Sequence, residues 1–160
     1  NATNRFDRCI LGDSSVIGMS GGHTTFLGCA ATNLTLDATY WARPNTINVE
    51  HCTVVNTNAP FLHFPVYSIG MLLLQHSRFE TGAAPVIRIH DLRPQPTDTQ
   101  PASVTVKGCT VTGTAPAVIA VTSQDRAVRK PLTLRGAGNT LPEGMALIQP
   151  GDLRATWRLE

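Results

Sequence analysis

The chain has 160 residues, with 13 basic and 11 acidic side chains and a formal net charge of +2. Only 15% of its residues are charged, against roughly 25% in an average soluble domain, and no stretch gathers the basic ones into a stripe, so a nucleic-acid partner is not expected. The longest apolar run, IGMLLL at 69–74, is far too short to cross a bilayer, and membrane insertion is not expected either.

The chain opens on Asn1, without an initiator Met and already in patterned sequence, which predicts one domain over 1–160 cut from a longer chain. Taken in order, its elements repeat. The first strand ends in Phe6-Asp7 before Cys9 and is followed by VIGM at 16–19; the second ends in Phe26-Leu27 before Cys29. A third strand carries Ile47 and Val49 before Cys52, then FLHF at 61–64 after Ala59-Pro60. The fourth carries Leu72 and Leu74 before Ser77, then VIRI at 86–89 after Ala84-Pro85. In the fifth, Val104 and Val106 precede Cys109, and AVIAV at 117–121 follows Ala115-Pro116. The sixth is anchored on Asn139 and runs through Glu143-Gly144 into MALIQ at 145–149.

The anchors at 9, 29, 52, 77, 109 and 139 stand 20, 23, 25, 32 and 30 residues apart, a loose repeat period. Three residues before the first five lies an unbroken apolar column of Phe6, Phe26, Val49, Leu74 and Val106. Two before them lie Asp7, Leu27, Glu50, Gln75 and Lys107, mostly polar. That alternation marks short strands with one buried face, and proline is tolerated where a strand begins because no ladder donor is needed there. No stretch offers a capped helix of ten residues. The predicted fold is all-β, a right-handed parallel β-helix of about six coils, each roughly 4.8 Å above the last. Its inward bend would stack Cys, Cys, Cys, Ser, Cys and Asn as a ladder. The thiols read as small, reduced core groups, since no Cys-x-x-Cys is present and no metal or cofactor is expected. Disulfides between Cys9 and Cys29 or Cys29 and Cys52 remain within geometric reach.

The strand plan of INVEHCTVVNTNAPFLHF (47–64) and SVTVKGCTVTGTAPAVIAV (103–121) resembles the pectate-lyase-like right-handed parallel β-helix superfamily over about residues 4–150, and within it the bacteriophage tailspikes. The resemblance implies a polysaccharide partner, a virion or extracellular location, a homotrimer, and hydrolase or lyase chemistry. The chain has fewer coils than complete enzymes of that kind and none of the active-site motifs of polygalacturonases or pectate lyases. A non-catalytic structural or receptor-binding segment of a viral or cell-surface fibre is therefore the competing expectation.

Several residues carry candidate chemistry. Asp7 and Glu50 share an outward column two coils apart, near 9.6 Å by ladder spacing, the outer limit for an inverting glycosidase pair. Solvated acids on a polar strand are the simpler reading of the same pattern. His51 and His76 sit on adjacent coils beside Glu50, which would suit proton abstraction next to a uronic acid, or merely line the bend. His63 and Arg88 hold equivalent places after Ala-Pro and would form a cationic spot for a sugar carboxylate or sulfate. Insertions are expected at 37–46, 90–102 and 122–131; in the first, Tyr40, Trp41 and Arg43 could stack on a sugar and pair with an acid group, or shield the coil. Leu27, Leu73 and Ile119 are expected to face outward, as a trimer would allow.

Overall fold

A computed structural model of the chain describes residues 2–12, 16–38, 43–91, 101–123, 131–150 and 157–159. They form a parallel β-helix built of three sheets with 7, 5 and 6 strands, and in each sheet the chain returns to lie parallel beside its previous pass. The first sheet stacks Thr3–Asp7, Gly22–Leu27, Asn45–Glu50, Ile69–Gln75, Ala102–Lys107, Leu132–Ala137 and Trp157–Leu159. Ile10–Leu11, Ala30–Thr32, Thr53–Asn56, Arg78–Thr81 and Thr110–Gly113 make the second. Val16–Met19, Thr35–Ala38, Leu62–Pro65, Ile87–Asp91, Ala117–Ser123 and Ala146–Pro150 make the third. In the sixth coil the second sheet shrinks to one bridge from Thr140 to Thr110, so the plan thins at this end.

The period-two pattern becomes burial on alternate residues, as along Asn45–Glu50. Phe6, Phe26, Val49, Leu74 and Val106 lie in register, and all but Phe6 are buried. The rings of Phe6 and Phe26 stack with their centres 4.8 Å apart. Ile119 departs from expectation: it is fully buried in register with Ile87. The strand opens on an inward Ala117, so its odd residues enter the core and its outer position falls to Ala120. Leu27 and Leu73 do face outward, half-buried.

The anchors form the ladder. Thr53 donates its amide to the Cys29 carbonyl, Arg78 to that of Cys52, and Thr110 to that of Ser77. The side chains add a second set of bonds. The amide of Cys29 donates to Cys52 Sγ at 3.3 Å, that of Cys52 to Ser77 Oγ at 3.0 Å, and that of Cys109 to Asn139 Oδ1 at 2.9 Å. Cys52, Ser77 and Asn139 thus each cap the N–H of the anchor one coil before, which favours a small side chain with an acceptor atom there. All four cysteines are free thiols, and burial pushes those of Cys52 and Cys109 up from their ordinary pKa.

The residue just before each anchor makes the bend in the left-handed region: Arg8, Gly28, His51, His76, Gly108 and Gly138 have φ between 46° and 63°. In chain order, each irregular stretch falls between a third-sheet strand and the next first-sheet strand. Residues 39–42, 92–100 and 124–130, their middles, lie outside the described residues.

Candidate functional site at the bend of coils three to five

The left-handed bend decides where the site forms. Its backbone continues the ladder, with the His51 amide on the Gln75 carbonyl at 3.2 Å and the His76 amide on that of Lys107 at 3.0 Å. With the anchor after it turned inward, the bend residue is left on the outside. His51 and His76 therefore project one above the other, their rings 5.6 Å apart and 19° from parallel. Gly108 completes the column: a Cβ there would stand 2.7 Å from His76 Nδ1, so the absent side chain leaves the imidazole its place.

The first outward position of the second sheet lies just past the anchor, and Thr53, Arg78 and Thr110 stack there in register. Together with His51, His76 and Gly108 these residues line an open groove of about 320 Å³. Glu50 pairs with a lining residue, its Oε1 3.6 Å from His51 Nε2. The groove is polar and shallow, unlike the enclosed apolar pockets that hold small hydrophobic ligands. Two flat ring edges, a guanidinium with planar paired donors and threonine hydroxyls suit a hydroxyl-rich ring bearing an acid group.

Asp7 and Glu50 do lie in one column, with Leu27 between them. Two ladder steps put them roughly 9.6 Å apart. Asp7 is half-exposed and faces Arg5 Nη2 at 3.4 Å and Arg8 Nε at 4.0 Å, whereas Glu50 faces His51. The structure pairs Glu50 with His51, which shares the groove with His76 and Arg78, and leaves Asp7 two coils away.

His63 and Arg88 are neighbours in register on the outer face of the third sheet, apart from this groove. His63 is not a lone cation, because Asp37 Oδ1 lies 3.4 Å from its Nδ1. Arg43 is exposed and its carbonyl accepts from Asn45 Nδ2 at 3.2 Å; Tyr40 and Trp41 lie outside the described residues.

Sequence reasoning did not single out Arg78, Thr53 or Thr110. The signal was present, since all three follow an anchor directly, but an outward position accepts any polar residue and only the stacking makes them a surface. Among the described residues no three histidine, cysteine or acidic side chains are placed to hold a metal ion, and no helix is long and apolar enough to cross a membrane. No family model, curated protein or solved structure matches the chain.

Proposed function

We propose that this chain is a glycan-binding segment of a tailspike-like β-helix, engaging acidic bacterial surface polysaccharide through the groove at its bend. The observation that carries this reading is the pair of stacked imidazoles over Gly108 with Arg78 alongside, an open polar shelf that repeats with the coil. A polymer lying along the axis meets one coil every ~4.8 Å, so successive sugars meet successive residues of the same two columns. Arg78 takes a carboxylate or sulfate in paired hydrogen bonds, and Glu50 accepts from sugar hydroxyls. A homotrimer on a virion or other extracellular fibre accords with the half-buried outward Leu27 and Leu73 and with the tailspike resemblance.

A lyase reading has one observation in its favour, the carboxylate of Glu50 on His51 within the same groove as Arg78. There Arg78 would neutralise a uronate carboxylate, His51 would remove the proton alpha to it, and the C–O bond at the adjacent carbon would break to leave an unsaturated uronate, with His76 giving a proton to the departing oxygen. Incubation of the purified chain with acidic capsular and O-antigen polysaccharides separates these. Binding should be measured together with reducing ends and the absorbance of unsaturated uronates. Binding that Arg78→Gln abolishes, with the polymer intact, is the expected result. New reducing ends with absorbance would establish a lyase, and new ends without it a hydrolase. No retention of any acidic glycan would end the reading.

A further inference from the structure

The third sheet carries a cluster that the groove does not use. Asp37, His63 and Arg88 stand in register on its outer face across three coils. Asp37 engages His63 at Nδ1, which leaves Nε2 of that ring for another partner. His90, two residues beyond Arg88 and so on the same face, brings its ring within 4.4 Å of the His63 ring. Its Nδ1 is buried and has no hydrogen-bond partner among the described residues.

The patch is close to electrically balanced while both imidazoles are neutral, with Asp37 set against Arg88. Burial, then His63 and Arg88, resist a proton on His90 and hold its pKa down from 6.5 to about 4. The strands on either side add no charge at the positions paired with it, Pro65 on one and Thr122 on the other, while Ala120 sits beside Arg88. What the cluster lacks for accepting protons is a negative group on the open side of Arg88.

We propose that His63, Arg88 and His90 form a binding site for a small oxyanion, sulfate or carboxylate, which enters together with a proton. The anion gains charge-assisted hydrogen bonds from the guanidinium and from imidazolium donors, and its charge offsets the repulsion from His63 and Arg88 that adds to burial in keeping His90 neutral. Linkage makes the effect reciprocal: whatever factor the proton adds to anion affinity, the anion adds to proton affinity. Asp37 holds the His63 ring in place and opposes anion binding until the histidines are charged, so the site is empty near neutrality and fills on acidification. It lies on a different sheet from the groove and stands or falls independently of the glycan reading.

The test is to titrate the whole chain with sodium sulfate, against sodium chloride of equal ionic strength, at about pH 5 and about pH 7.5. The Cε1–H resonances of His63 and His90 are followed, so that sulfate bound near His51 and His76 does not count. Sulfate should move both resonances at the lower pH, leave them nearly unmoved at the higher, and raise the midpoint of the His90 titration. Arg88→Gln, at an exposed position that leaves the core intact, should weaken binding by roughly tenfold or more. Galacturonate in place of sulfate shows whether a sugar carboxylate serves as well. A His90 midpoint that neither anion shifts, or an Arg88→Gln chain that binds as the parent does, would overturn the proposal.

Discussion

A residue with positive φ carries a penalty of about 1–2 kcal/mol that glycine escapes, and every coil of this protein makes that demand just before its anchor. Gly28, Gly108 and Gly138 meet it without strain, whereas Arg8, His51 and His76 bear it. Strain tolerated where glycine would serve points to a use for the side chain. His76→Gly should therefore raise stability by up to about 1 kcal/mol in urea unfolding while lowering affinity for the polysaccharide. Gly108→Ala tests the same geometry from the other side. Its Cβ would crowd His76 Nδ1, so the change should cost about 1–2 kcal/mol and weaken glycan binding by displacing the ring. Glycan affinity undiminished in both variants would mean that the imidazole pair is not the contact surface.

Between elements, the anchor ladder does what no single strand can, since it satisfies a buried amide in one coil from the side chain of the next. Ser77 is the informative member: it accepts from the Cys52 amide at 3.0 Å and donates to the Gln75 carbonyl at 2.7 Å. Ser77→Ala strands that amide and should cost about 1–3 kcal/mol in urea unfolding, whereas Ser77→Cys, which copies the neighbouring rungs, should cost less than half as much. Equal losses for the two would show that side-chain volume, not the acceptor atom, sets the preference. The ladder was legible in the sequence because the cross-section leaves little choice: a small residue at 9, 29, 52, 77, 109 and 139, and an apolar one three before the first five. The left-handed column was not, because Arg8, Gly28, His51 and His76 share a backbone conformation and no side-chain chemistry. Glu50, His51 and His76 could be singled out beforehand, as an acid and two imidazoles at like places on adjacent coils, while Arg78, though next to an anchor too, became part of a surface only through its stacking between Thr53 and Thr110. His90 was overlooked because its partner His63 sits diagonally, one coil back and two residues out of step.

For the whole molecule, stacking of near-equivalent coils means that stability is close to a sum of coil and interface contributions, and register matters more than length. The spacing of the anchors makes this testable, because removing residues 77–108 joins His76 directly to Cys109 and deletes one full turn of the solenoid in register. Leu74 then precedes the Cys109 anchor as it now precedes Ser77, and the strand Leu132–Ala137 comes to lie on Ile69–Gln75 in place of Ala102–Lys107. The shortened chain should keep a β-sheet circular dichroism spectrum and a cooperative melt, with a denaturant slope reduced roughly in proportion to the residues lost. It should also lose affinity for the glycan, since Arg78 and Gly108 depart with the deleted turn. Removing residues 77–92 alone should abolish cooperative unfolding, because it takes a second-sheet and a third-sheet strand and leaves the next first-sheet strand without a path round the cross-section. If the two deletions melted alike, neighbouring coils would not be the cooperative units, and the chain would have to be held together by contacts that skip a turn.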